Sequence, residues 1–229
     1  MALPAKVTWV TFDAYGTLID WETGIFNAFK REASRDGFPI EDSDRERILS
    51  RFLELQHEIQ GGSYELYAEV LRRCVTTIAK ELEWPLEPSR AGFLPASIPR
   101  WAPFKETNTQ LTRFGKKFQT GLVANIDDKL LGETRRHIPH DFDLVVTAQQ
   151  VRSYKPDAAH FTEFARRVGS KKNWVHVCCG VYADVEPCIK AKVPVIWVNR
   201  RKEKLDPSAK KPTAEVKTLL EAAKLLGAA

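Results

Sequence analysis

Four polar residues stand where short apolar runs end, and their types suit nucleophilic chemistry on an anionic substrate. Asp13 follows KVTWVTF (Lys6 to Phe12), and Asn125 closes TGLVAN (Thr120 to Asn125). Lys155 comes shortly after DLVVTA (Asp143 to Ala148), and Asp184 lies a few residues beyond WVHVCC (Trp174 to Cys179). A carboxylate can act as a covalent nucleophile. Two acids, a lysine and an amide converging on one edge are what an anion-handling nucleophilic site needs.

The elements that must position these residues are visible in the hydrophobic pattern. The first run is rich in β-branched and aromatic residues and reads as a strand, which Gly16 breaks with a tight turn. TGLVAN, DLVVTA, WVHVCC and PVIWVN (Pro194 to Asn199) read as further strands. Helical patterns lie between them, as in DAAHFTEFARRV, and a final helix is expected over AEVKTLLEAAKLL (Ala214 to Leu226). Near-continuous apolar strands alternating with helices predict a parallel sheet covered on both faces. In such sheets ligands bind beyond the carboxyl ends of the strands, which is where the four polar residues fall.

From Glu22 to about Arg90 the pattern is helical and lacks strands. Ile48, Phe52, Leu55 and Ile59 share one face, Leu66, Val70, Cys74 and Ile78 share another, and Gly61-Gly62 separates the two helices. The proline-bearing stretch from Trp84 to Pro103 reads as a linker. The expected fold class is α/β, a Rossmann-like parallel sheet core with helices on both faces and a helical cap inserted after the first strand. Residues 1–20 and 100–229 would form the core and 21–99 the cap.

The run FDAYGTLID (Phe12 to Asp20) resembles the first motif of the haloacid dehalogenase-like superfamily of hydrolases. VANIDD (Val123 to Asp128) is similar to its second motif, SYKPD (Ser153 to Asp157) to its third and VYADVEP (Val181 to Pro187) to its fourth. The four occur in order, with a cap between the first and second, and cover nearly the whole chain. Phosphatases of this superfamily carry a second aspartate two residues after the nucleophile and hold magnesium. Here that position is Tyr15, whose phenol, with a pKa of about 10, is a poor general acid at neutral pH. Cys178, Cys179 and Gly180 stand where a further acidic ligand is expected, so Asp13 and Asp184 make a thin oxygen set for Mg²⁺.

The D-x-Y-G-T pattern is most similar to the type II 2-haloacid dehalogenases, and the resemblance implies catalysis without metal or cofactor. It implies Asp13 as nucleophile, Thr17 orienting the Asp13 carboxylate, Lys155 countering the charges of Asp13 and the substrate, and Asp184 positioning or activating water. Tyr15 and Asn125 would line the substrate site, and Arg51 of the cap, with Arg47 as the alternative, would cradle the halide. The chain departs from that pattern at Ala124, where a hydroxyl residue is usual, and in CCGVYAD, where serine and asparagine are usual. Phe161, beside His160, replaces a tyrosine. YKPDAAHF and VNRR look closer to a less characterised branch, some of whose members cleave fluorinated acids. The implied function is hydrolytic removal of halide from short 2-haloacids, fluoroacetate among them. The alternatives are a Mg²⁺-dependent small-molecule phosphatase and a non-catalytic binding protein that keeps the fold.

Composition narrows the remaining choices. With 229 residues and a hydrophobic fraction of 43% the chain can bury a core. It has no apolar run of about eighteen residues, so no membrane partner is expected. The start, MALPAKVTWVTFDAYG, lacks the regions of a signal peptide, and a cytoplasmic address is expected. Cys74, Cys178, Cys179 and Cys188 form no C-x-x-C pair and read as reduced thiols. The net charge of +5 comes partly from RRKEK near Arg200 and the pair at Lys210. Without an interleaved aromatic stripe this reads as a solvated basic surface rather than a nucleic-acid site. The expected partner is a small-molecule carboxylate; several members of the resembled family are dimers, so a homodimer stays open. Asp127 and Asp128 read as helix-start charges, Trp21 as packing at the hinge or cap, and His160 as a structural histidine.

Overall fold

The computed structural model describes all 229 residues. In chain order the elements begin with β1 (Trp9–Phe12), α1 (Trp21–Arg35), α2 (Arg45–Gln60), α3 (Tyr67–Glu81) and α4 (Thr107–Gly115). They continue with β2 (Gln119–Ala124), α5 (Asp128–Arg135), β3 (Leu144–Thr147), α6 (Ala148–Val151), α7 (Ala159–Val168) and β4 (Trp174–Cys178). The last are α8 (Glu186–Ala191), β5 (Val195–Val198), β6 (Ala214–Val216) and α9 (Leu219–Leu225). The chain divides into two compact units: Met1–Ile19 with Pro103–Asn125 and His137–Ala229, and Asp20–Ala102 with Ile126–Arg136.

The first unit is the expected α/β body. Its six strands form one parallel sheet in the order β3-β2-β1-β4-β5-β6. The order reverses beside β1, the place where a doubly wound sheet opens a crevice at its carboxyl edge. β1 lies between β2 and β4, with Thr11 level with Gly121 on one side and His176 on the other. Burial is nearly complete along β2, β4 and β5, which explains their unbroken apolar sequence. Phe161, Phe164, Trp174 and Trp197 anchor the core around Val123, Cys178 and Val195.

One strand departs from the sequence pattern. Ala214–Val216 is not the start of the last helix but an edge strand paired with β5, and α9 begins at Leu219. Thr218 makes the break by accepting the Glu221 N–H at its side chain, the N-cap that turns extended chain into helix. A three-residue strand is too short to show alternation.

The second unit is helical. Ile48, Phe52, Leu55 and Ile59 are buried on α2, and Val70, Cys74 and Ile78 on α3. Leu66, expected on the same face, instead precedes α3 in extended backbone and is exposed. The stretch expected as a linker is packed structure. Residues Pro88–Phe93 and Pro95–Arg100 form two 3-10 helices, and Leu94, Ile98 and Trp101 are buried. Arg90 bonds Glu32 and Asp36, and the Trp101 indole donates to Ser97 Oγ at 2.8 Å. α5 joins this unit through Asp127, whose carboxylate accepts the N–H groups of Tyr67 and Ala68 at 2.7 and 2.8 Å. Asp127 begins α5, yet its side chain caps α3, satisfying two amides that the first turn of a helix leaves open.

Candidate active site

Asp13 stands where β1 ends. Its N–H bonds Val177 O at 3.1 Å, continuing the ladder one residue past the strand. The chain then folds into a compact loop in which Leu18 and Ile19 both donate to Ala14 O, and Gly16 bonds Ile19 O at 2.7 Å. Gly16 has φ +89°, a backbone conformation open to glycine and strained for other residues. The loop places Thr17 back over Asp13. Its hydroxyl donates to Asp13 Oδ2 at 3.1 Å and accepts the Cys179 N–H at 2.9 Å, which joins the ends of β1 and β4.

Lys155 reaches the same spot from the loop after α6. It is 2% exposed, and its Nζ donates to Asp13 Oδ1 at 2.9 Å, Asp184 Oδ1 at 2.5 Å and Val123 O at 2.9 Å. All three ammonium hydrogens are therefore used. Asn125 holds the lysine's backbone at both ends: its amide donates to Lys155 O at 3.0 Å, and its oxygen accepts Lys155 N–H at 2.8 Å. Asp184 sits on a single π-helical turn, Val181–Val185, that precedes α8. A turn of this kind carries one extra residue and is frequent at functional sites. Gly180, just before it, leaves the room the carboxylate needs, since a Cβ there would come within 2.9 Å of Asp184 Oδ2.

The electrostatics follow from burial against pairing. Burial would lower the Lys155 pKa, but the charges of Asp13 and Asp184 outweigh it and hold the ammonium above the ordinary lysine value. Burial likewise works to raise Asp184, and Lys155 and His176 overcome it, so Asp184 lies below the usual carboxylate value. For Asp13 burial wins: its carboxyl lies above the usual value, with Lys155 opposing the shift and Asp184 adding to it. Cys179, half-buried at the rim, is pushed upward by burial and by Asp13, which leaves it a neutral thiol.

The structure thus brings Asp13, Thr17, Lys155 and Asp184 into one bonded cluster and places Asn125 behind the lysine as its clamp. Tyr15 lies in the loop between Asp13 and Thr17, half-buried, with its carbonyl facing the Cys179 thiol at 3.5 Å. Arg51 belongs to the helical unit, where its fork is taken up by Glu81, in three bonds of 2.8 to 3.1 Å, and by Glu54 at 3.0 Å. Arg47 pairs with Asp44 at 2.9 Å.

Two participants escape the sequence pattern. His176, fully buried in β4, directs Nε2 to Asp184 Oδ1 at 3.2 Å. Arg200, expected as part of a solvated basic run, is instead built into the body. Its guanidinium bonds Gly16 O at 3.3 Å, Thr17 O at 3.0 Å and Glu106 at 2.7 Å, and lies 3.8 Å from the Phe104 ring centroid. A planar fork suits two carbonyls and a ring face together, and here it braces the loop that follows Asp13. A histidine inside the apolar run WVHVCC was a visible signal; the arginine opens the basic run RRKEK, which reads as solvated surface. His160, fully buried, faces Ala124 O at 3.3 Å; burial and Lys155 push its pKa down to about 3, in keeping with a structural role.

Asp13 and Asp184 each give one oxygen to Lys155, which leaves a thin carboxylate set for Mg²⁺, an ion that takes six oxygens. A nitrogen of His176, the Cys178 sulfur and an Asp184 oxygen lie within 4.8 Å of one another. Asp184 of that softer set is bonded to the same ammonium, and no second acid accompanies it.

This sheet order, with an aspartate-and-lysine cluster at its carboxyl edge and a helical unit inserted after β1, is a fold shared with solved haloacid dehalogenases. Among solved structures the chain is similar to a defluorinating L-2-haloacid dehalogenase, with a TM-score of 0.82, 18% identity and 99% of each chain covered. It is also similar to the L-2-haloacid dehalogenase of Xanthobacter autotrophicus with chloropropionic acid covalently bound, at TM-score 0.83 and 17% identity over 96% of this chain and 98% of that one. A HAD-hydrolase of Bacillus subtilis bound to magnesium matches at TM-score 0.84 and 15% identity, over 97% and 99% of the two chains. At these identities the likeness concerns the fold. No protein-family model matches the chain, and no curated protein sequence matches it. No helix is long and apolar enough to cross a membrane.

Proposed function

We propose that this chain is a metal-independent hydrolytic dehalogenase of short 2-haloacids that works through an ester on Asp13. The observation that carries the reading is the single ammonium of Lys155 shared by Asp13 and Asp184, with Tyr15 in the place of a second acid. Such a site has a nucleophile and a water-activating carboxylate but no proton donor for an alkoxide leaving group. Halide needs none.

In the first step an Asp13 oxygen attacks the carbon bearing the halogen. The new C–O bond forms as the C–X bond breaks, halide leaves with the bonding pair, and the carbon inverts. In the second step water adds to the carboxyl carbon of the ester and gives a proton to Asp184. The acyl C–O bond then breaks, and the departing alkoxide takes up a proton to give the hydroxy acid. The sum is haloacid plus water to hydroxy acid, halide and a proton. Lys155 offsets the charge of Asp13 before attack and of the substrate carboxylate after it. Loop amides near Tyr15 and Asn125 would hold that carboxylate. Four free thiols agree with a cytoplasmic enzyme.

The test is halide release from 2-chloropropionate and fluoroacetate in EDTA, comparing wild type with Asp13→Asn. Release by wild type alone supports the proposal. Silence from both overturns it, and hydrolysis of phosphate esters with added Mg²⁺ would then point to the phosphatase alternative.

A further inference from the structure

A buried polar chain that the reaction above does not use ends at Asp184. The Trp174 indole N–H donates to Thr11 Oγ1 at 2.7 Å. Thr11 Oγ1 lies 2.8 Å from His176 Nδ1, and His176 Nε2 lies 3.2 Å from Asp184 Oδ1. Thr11, Trp174 and His176 are each 0% exposed. The residues come from neighbouring strands: Thr11 and His176 are level with each other in β1 and β4, and Trp174 is two places earlier on β4.

Donor and acceptor counting gives this chain a direction. An indole N–H only donates, so Thr11 Oγ1 accepts there; a hydroxyl has one hydrogen, and a buried one requires an acceptor. The other partner of the Thr11 hydroxyl is His176 Nδ1. Thr11 therefore donates to Nδ1, the ring carries its hydrogen on Nε2, and that hydrogen points at Asp184. We propose that His176 is a positioning residue for Asp184, locked by Trp174 and Thr11 as the Nε2–H tautomer. Its consequence for turnover rests on the dehalogenase reading. Asp184 Oδ1 then accepts from Lys155 and His176 together, which fixes the carboxylate in one orientation and leaves Oδ2 to receive the proton of the attacking water. His176 itself is not the base: its Nδ1 lone pair is taken by Thr11, and its Nε2 already bears hydrogen.

The first measurement needs no substrate. In protein labelled with ¹⁵N-histidine, long-range ¹H–¹⁵N spectra assign each ring's tautomer, with His176→Gln identifying the signal. The expected result is a protonated Nε2 and a bare Nδ1. Protonation at Nδ1, alone or together with Nε2, overturns the proposal. The second uses Thr11→Val, which keeps the shape and removes the hydroxyl. The His176 signal should leave the pure Nε2–H form, and decay of the Asp13 ester should slow by about tenfold, the scale of one hydrogen bond, while the initial burst of halide persists. Thr11→Ser should restore both. An unchanged tautomer in Thr11→Val, or equal slowing of burst and decay, counts against the positioning role. Absence of halide release from wild type would sink the dehalogenase reading while the tautomer result still stands or falls alone.

Discussion

Replacing Lys155 by methionine keeps a linear side chain of similar length and removes the cation that two buried carboxylates share. Asp13 and Asp184, 8% and 1% exposed, would then face each other without a counter-charge, and Val123 O would lose a donor. Removing one partner of a buried ion pair costs about 3–5 kcal/mol. Protonation of one carboxylate limits the penalty, so about 3–5 kcal/mol is the expected loss at pH 8. Against a typical total of about 5–15 kcal/mol this is a large fraction, and it corresponds to a urea midpoint lower by roughly 2 M.

The pH dependence carries the sharper test. In the variant, burial and mutual repulsion raise a carboxyl pKa above its unfolded value of about 4. A raised folded-state pKa contributes stability that is present below the unfolded value and lost as pH rises through the folded one. The variant should therefore recover stability between pH 8 and pH 5. Wild type should recover less, because Lys155 opposes the rise of Asp13, its one raised carboxyl of the pair, while Asp184 is held low and the raised Lys155 loses its contribution only in strong alkali. Urea titrations followed by tryptophan fluorescence at pH 8, 6.5 and 5 measure both effects. A penalty of the same size at pH 8 and pH 5, or one below about 1 kcal/mol, would refute the buried charge network.

Two further outcomes follow from the supports of the site. Asn125→Ala removes both bonds to the Lys155 backbone and should lower stability by about 1–3 kcal/mol; an unaltered urea midpoint would show that the lysine loop holds itself. Arg200→Lys keeps the charge but loses the fork across Gly16 O and Thr17 O. Turnover should fall by about tenfold, since lysine does not reproduce a bidentate, stacked guanidinium. The control Arg201→Lys, at an exposed position paired with Glu203, should change turnover less than about twofold, and equal effects at the two positions would remove the special role of Arg200.

Much of the site was legible because its chemistry sits in local strings. Asp13 and Thr17 share one loop, and Lys155 and Asp184 each follow a strand whose unbroken apolar run marks it as a buried parallel strand. What sequence could not carry was partnership across the sheet. His176 meets Thr11 and Asp184 only because β4 lies beside β1, and Arg200 reaches the Gly16–Thr17 loop from beyond β5. Asp127 looked like the start of its own helix, which it is, while its side chain serves α3. The fourth-motif string does not show the π-helical turn at Val181–Val185 that carries Asp184. The stretch from Trp84 to Pro103 read as a linker because prolines interrupt its periodicity, although 3-10 turns bury Leu94, Ile98 and Trp101 all the same.

The covalent role of Asp13 is tested most directly by a single turnover of 2-chloropropionate in H₂¹⁸O, followed by mass spectrometry of the peptide that contains Asp13 and of the lactate formed. If water opens an ester at the Asp13 carboxyl carbon, the heavy oxygen enters Asp13 and the lactate hydroxyl carries the enzyme's original light oxygen. Heavy oxygen in the lactate hydroxyl with Asp13 unlabelled would mean that water attacks the substrate carbon itself, and Asp13 would not be the nucleophile.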